Sequence, residues 1–181
     1  MHGLIFASLR DYVGAFGGAE KVERVFRGEI YLSSGAYDDR HFLTLVERAC
    51  EEAGTERDEF LHDFGAYTAQ RTFAVLYPQF FSAAGSASEF FLTVEERIHE
   101  LVRATIPNAR PPRLTVSELD DGGVSIVYSS PRKLCVLLRG LAQGVVLHFE
   151  ETATIDETSC MLRGDEACTF EVLFSGVRQS A

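Results

Sequence analysis

Tryptophan is absent from this chain of 181 residues, methionine occurs twice, and proline only five times. Three of those prolines fall between Pro107 and Pro112, in the stretch IPNARPPR. That stretch cannot be a continuous helix and is expected to be a rigid connector. Positive charge is also scarce: 17 Lys and Arg stand against 27 Asp and Glu, a net charge of −10. An acidic surface repels phosphate backbones and anionic bilayers, which argues against nucleic acid and membrane as partners. No apolar run approaches the roughly 20 residues that a membrane-spanning helix needs. The N-terminal segment MHGLIFASLRDYVGAF has no basic leader, and Arg10 and Asp11 interrupt its apolar residues. It does not read as a signal peptide, so a cytoplasmic location is expected. A P-loop, a dinucleotide fingerprint and a Ser/His/Asp set are likewise missing, and the expected protein is not an enzyme.

What the chain does have is phenylalanine, 14 residues of it, within a hydrophobic content of 46%. Phe suits core packing and an apolar ligand cavity equally well. The length suits a single domain, 1–181. Helical spacing of apolar residues runs from Leu4 to Phe16 and stops at Gly17-Gly18. A short helix follows in AEKVERVFRG. A longer one spans Tyr37 to Ala53, with Asp38 or Asp39 as N-cap, and another begins near Thr55. After the aromatic stretch Phe73 to Phe81, Ser86 or Ser88 opens a helix through about Ala104. Beyond the proline connector, RLTVSEL and GVSIVYS flank Asp120-Asp121-Gly122-Gly123 and read as a hairpin. Arg132 to Phe149 is helical in period, and ETATIDET and ACTFEVLF read as strands. The expected fold class is α+β: a mainly helical lobe (1–106), then a β-β-α-β-β lobe (112–176).

Two features carry chemistry. The helix FFLTVEERIHELVRAT has an apolar face of Phe91, Val94, Ile98, Leu101 and Thr105, with His99 at its edge. A single histidine there is either a partly exposed helical residue or an axial iron ligand. Further on, Tyr128, Ser130 and Arg132 alternate in VYSSPR. On an extended strand they would point together. They form either a polar strand end, with Ser130-Pro131 starting the next helix, or a clamp for a carboxylate.

In this order the segments resemble the H-NOX (haem nitric oxide/oxygen binding) domains, relatives of the sensor region of soluble guanylate cyclase. MHGLIFASLRDYV is similar to the family's opening helix. IHELVRATIPNARPP resembles the proximal-histidine segment with its proline turn, and Tyr128, Ser130 and Arg132 match the Y-x-S-x-R signature. The resemblance implies a five-coordinate ferrous haem b with His99 as iron ligand. It implies that the signature holds the propionates and that Pro112 presses on the porphyrin. Leu137 occupies the position of the distal Tyr of oxygen-binding members, and Ile5 and Leu141 are similar to distal wall residues. An apolar wall gives bound oxygen little support, so the expectation is a sensor of nitric oxide that also takes CO. The resemblance implies signalling in trans to a histidine kinase or a cyclic-di-GMP enzyme.

The four cysteines are Cys50, Cys135, Cys160 and Cys168. Glu157-x2-Cys160-x7-Cys168, with Cys135 upstream, suits a tetrahedral Zn²⁺ site of three thiolates and one carboxylate. Cys135 and Cys168 as small core residues is the competing reading. The segment resembles the zinc-containing H-NOX proteins, in which the Glu position tends to be His, and Asp156 is a substitute for Glu157. Oxidation of such thiols can release zinc, which implies a second, redox input. The segment is also similar to 4-vinyl reductase-type sensor domains. That leaves an alternative: a haem-free sensor of an aromatic or hydrocarbon ligand, with no use for His99 beside the Tyr128 signature.

Overall fold

The structure is a computed structural model that describes residues 1–105 and 109–175. Ile106, Pro107 and Asn108 of the expected connector, and residues 176–181, lie outside the described residues. The N-terminal half is helical. Helix α1 (Gly3–Phe26) is kinked at Gly18, where φ is 67° and ψ −173°, so the expected break at the glycine pair is a bend within one element. Gly18 takes that positive φ without the steric cost a side chain would bring. Helix α2 (Asp39–Ala53) is capped by Asp38, whose carboxylate accepts from the Arg40 amide. That choice leaves the neighbouring Asp39 free for a tertiary role.

Helix α3 (Arg57–Tyr67) runs into a π-helical turn, Thr68–Phe73, and then into the short helices α4 (Ala74–Leu76) and α5 (Pro78–Ser82). The wide turn is pinned from inside. Buried Ser8 bonds Thr68 at 2.9 Å and Thr72 at 2.8 Å, and Thr68 donates to the Phe64 carbonyl. Ser86 caps helix α6 (Ala87–Val94) by accepting from the Glu89 amide. A second π-helical turn, Glu95–His99, leads into α7 (Glu100–Thr105).

The C-terminal half is an antiparallel four-stranded sheet in the order β1-β2-β4-β3, formed by β1 (Arg113–Glu118), β2 (Val124–Ser129), β3 (Ala153–Ser159) and β4 (Cys168–Phe174). The β1–β2 hairpin turns where expected. Gly122 has a φ of 83°, and the Asp121 carboxylate accepts from the Gly123 amide. The helix after β2, α8, spans Cys135–His148 and starts three residues later than its apolar period suggests. It packs closely on α3: a Cβ on Gly140 would lie 2.0 Å from the His62 carbonyl oxygen, and one on Gly65 2.5 Å from that of Leu137. Only glycine at these positions lets the backbones meet, and that contact fixes where α8 carries Cys135, Leu137 and Leu141.

Two buried clusters result. One joins α1, α2, α3 and the start of α8, and it absorbs Phe6, Phe26, Phe42, Phe60 and Phe64. The other lies between the sheet, α6 and α8. The abundance of Phe is therefore split, since Phe73, Phe80, Phe81, Phe90 and Phe91 line a cavity between the helical layer and the sheet. No helix among the described residues is long and apolar enough to cross a membrane.

Candidate functional site

The cavity has a volume of about 340 Å³, within the roughly 300–1,000 Å³ typical of small-molecule and cofactor sites. Its walls come from both halves of the chain. All five residues of the expected apolar helix face, Phe91, Val94, Ile98, Leu101 and Thr105, line it, and so does His99. From the sheet side come Tyr128, Ser130 and Arg132; from the connector, Pro112; from α1 and α8, Ile5, Leu137 and Leu141. The fold thus brings all of these sequence-designated residues to one wall-to-wall site.

His99 sits in the second π-helical turn with its side chain 16% exposed. Its Nδ1 is 2.7 Å from Glu95 Oε2, an i,i+4 pair. Burial pulls the imidazole pKa below its usual value, and the Glu95 hydrogen bond offsets this only in part. Burial pushes the Glu95 carboxyl upward, but His99 and Arg103 outweigh it and leave Glu95 below the usual carboxylate range. The pair is therefore a neutral imidazole donating Nδ1–H to a carboxylate, which leaves the Nε2 lone pair as the ring's ligating atom.

The signature residues alternate as expected, but their local roles differ from the expected ones. Tyr128, on the buried face of β2, is 4% exposed, and Ser130, just past the end of that strand, 5%. Ser130-Pro131 does not start the helix. Ser130 Oγ accepts from the Arg132 amide in a turn that ends with Lys133 at a φ of 50°, and α8 begins only at Cys135. The residue ahead of α8, Leu134, donates its amide to Tyr128 Oη at 3.2 Å. The phenol thus serves the helix start that serine was expected to serve. Burial raises the Tyr128 pKa, so the phenol stays neutral.

Arg132 reaches back across the molecule. Nη1 donates to the Arg110 carbonyl at 2.7 Å, and Nε lies 2.9 Å from Asp39 Oδ1. That Nε–H is not aimed at the carboxylate, and Arg132 Nε is a buried donor with no hydrogen-bond partner among the described residues. The same Asp39 oxygen takes the N-terminal ammonium at 2.5 Å. Burial raises the Asp39 carboxyl, but the ammonium and Arg132 hold it below the usual range. His2 is the next residue; its Nδ1 accepts from the Leu4 amide and caps α1, while Nε2 is a second buried orphan. His2 also lines the cavity. The sequence assigns no site role to Met1, His2, Asp39 or Glu95: Asp39 is only an alternative N-cap, His2 reads as structural, and the pair Glu95-Glu96 reads as a solvated face, whereas Glu95 is 25% exposed and bonded to His99. Only Glu95 carries a local signal, its four-residue spacing from His99 on a helix.

A second site lies at the first residue of α8. One ligating atom from each of Cys135, Glu157, Cys160 and Cys168 fits within 4.8 Å of the others. Cys135 and Cys160 sulfurs are 3.7 Å apart, and those of Cys160 and Cys168 3.9 Å. A tetrahedral zinc with Zn–S bonds of about 2.3 Å requires sulfur–sulfur edges of about 3.8 Å. Cys160 follows a register shift at Glu157/Ser159 in the β3–β4 ladder and precedes a one-turn 3-10 helix, Met161–Arg163, that closes at Gly164. Glu157 faces this cluster, whereas Asp156 points to the opposite, exposed face of β3. Cys50 is half-buried on α2, away from the group.

An α+β domain folded around one apolar cavity, with a histidine on one wall and cationic donors at another, is a ligand-binding domain in its architecture. A family model described as Haem-NO-binding matches residues 2–157, and the chain belongs to that family. Among solved structures it is similar to an H-NOX protein from Shewanella oneidensis in the Fe(II)NO ligation state, at 21% identity and a TM-score of 0.91, over 97% of this chain and 100% of that one. The unliganded Fe(II) H-NOX protein from K. algicida is similar at 23% identity and a TM-score of 0.83, over 100% of both chains. No curated protein matches the chain. The α+β expectation, with a helical half preceding an antiparallel sheet, holds.

Proposed function

We propose that this chain is a haem-based sensor that responds to nitric oxide and passes the signal to a separate protein. One observation carries the reading: the same apolar cavity is lined by His99, held neutral with Nδ1 engaged, by His2 Nε2, a buried donor with no hydrogen-bond partner among the described residues, and by Arg132, which is ion-paired with Asp39 but whose Nε–H makes no aligned hydrogen bond. Buried donors without partners are costly unless a ligand satisfies them. An iron porphyrin presents both matching groups, a metal for Nε2 of His99 and two carboxylates for the donors.

Bound there, haem supplies an iron with one position for a diatomic gas. The protein residues do the rest. Arg132, Ser130 and Tyr128 would hold the haem's carboxylates, and Pro112 would form part of the wall around it. Ile5, Leu137 and Leu141 keep the gas side apolar. His99 would hold the iron, and any change in that hold would be passed to the Glu95–Thr105 segment and its packing against β1, a two-state element biased by ligand. The output in trans is a histidine kinase or a cyclic-di-GMP enzyme. Cys135, Glu157, Cys160 and Cys168 hold zinc, whose thiolates give the protein a redox input.

The absorption spectrum of the purified protein tests this. A Soret band is expected, shifted by nitric oxide and by CO, and the ferrous spectrum is expected to stay unchanged in air. A protein without a Soret band belongs instead to the haem-free alternative. Arg132→Ala is expected to release haem about 10-fold or more faster, since it removes one charge-assisted contact of about 1.5–3 kcal/mol. Zinc content is expected to stay at the wild-type value. Equal haem-transfer rates to apomyoglobin in both proteins would remove Arg132 from the clamp.

A further inference from the structure

We propose that Glu95 is a positioning residue that stiffens the bond between His99 and iron and so sets how readily that bond yields to gas. The inference rests on the haem reading above and deepens it. Glu95 is held from three directions. Oε2 accepts from His99 Nδ1 at 2.7 Å and from the Leu114 amide of β1 at 3.1 Å, and Oε1 takes Arg103 Nη2 at 2.5 Å. The carboxylate therefore cannot swing away from the imidazole without giving up a bond to α7 or to the sheet. The π-helical turn Glu95–His99 begins at one partner and ends at the other.

A carboxylate on Nδ1–H draws that proton toward itself and makes Nε2 a stronger donor to a metal. It also fixes the ring plane, because rotation about the imidazole would break the 2.7 Å contact. Arg103 draws part of the same charge, so the effect is tempered rather than that of an isolated carboxylate. In a sensor whose signal is the yielding of this bond, Glu95 then acts as a brake. The bond to Leu114 has a second consequence: any movement of His99 pulls on the β1 backbone through the same carboxylate.

Glu95→Gln separates this role from a merely structural one. The amide oxygen still accepts a hydrogen bond, so the melting temperature is expected to stay close to the wild-type value. The iron–histidine stretching frequency, read by resonance Raman in the ferrous protein, is expected to fall. The rate at which nitric oxide displaces His99 in stopped-flow is expected to rise about 10–100-fold, the usual scale for losing an outer partner of a ligating histidine. In the haem-free protein, long-range ¹H–¹⁵N spectra are expected to show His99 leaving the pure Nδ1–H tautomer in Glu95→Gln. A wild-type Soret band with unchanged stretching frequency and displacement rate in Glu95→Gln overturns the inference alone. Absence of a Soret band in the wild type overturns the haem reading and the inference with it.

Discussion

Replacing His99 by Gly is expected to cut the fraction of chains purified with haem to a small part of the wild-type value and to abolish the structural response to nitric oxide. The physical reason is twofold. The substitution removes the only histidine on the Phe91–Thr105 wall of the cavity. It also leaves Glu95 in a half-buried position with Arg103 and the Leu114 amide alone. Hydrogen exchange across Glu95–Thr105 and β1, measured with and without nitric oxide after haem reconstitution, reads the response directly. Wild-type protein should change protection there. A His99→Gly protein that changes it equally would show that the iron–histidine bond is not the lever. Stability should drop modestly, since glycine inside a helical segment costs about 1 kcal/mol relative to alanine.

Replacing Cys160 by Ala is expected to eliminate zinc and lower thermal stability substantially. Cys160 is the sulfur shared by both close contacts, 3.7 Å to Cys135 and 3.9 Å to Cys168. Zinc held at 1,000 times its Kd stabilises the folded state by about 4 kcal/mol. For a domain of this size that corresponds to roughly 8–16 °C in Tm. Elemental analysis and calorimetry, with and without chelator, check the two halves of the expectation. A wild-type protein that carries no zinc and does not respond to chelator would return these cysteines to the core-residue reading.

The pH dependence of that site has a definite sign. Burial raises the Cys135 and Cys168 thiols above the usual thiol range in the metal-free protein. Folded pKa values above the unfolded value of about 8.5 stabilise the metal-free fold below pH 8.5, and that contribution is lost as pH rises through the folded values. Zinc reverses the slope, because it binds thiolates and expels their protons. The zinc-dependent gain in Tm should therefore shrink as pH is lowered and grow as it is raised, and zinc uptake in weak buffer should release protons. Peroxide is expected to lower both zinc stoichiometry and free thiol count together; if neither changes, the redox input is absent.

Much of this architecture was readable from order and spacing. The alternation of Val124, Ile126 and Tyr128 placed a phenol on the buried side of a strand, and burial follows that alternation. The period-3.6 face from Phe91 to Thr105 identified one wall of the cavity residue by residue. Local rules failed where a tertiary partner outbid them. Ser130-Pro131 has the form of a helix start, yet the Tyr128 hydroxyl takes the amide of Leu134 and α8 begins later. Asp38 and Asp39 are equivalent as caps in sequence. Asp39 instead meets an ammonium 38 residues away and a guanidinium of the other half.

The sequence by itself determined the α+β order, the apolar face around His99, the signature group and the Glu157–Cys160–Cys168 spacing. Each depends on side-chain periods of two and 3.6, or on ligand chemistry, that a linear chain displays. Only the tertiary structure decided that Glu95 grips His99 from the same helix and β1 at once, and that Glu157 rather than Asp156 faces the sulfurs. It alone showed that His2 Nε2 is buried without a hydrogen-bond partner among the described residues, and that Arg132 Nε lies against Asp39 without an aligned hydrogen bond. Those facts arise from contacts between residues distant in the chain, and hydrogen-bond satisfaction is a property of the packed molecule rather than of any segment.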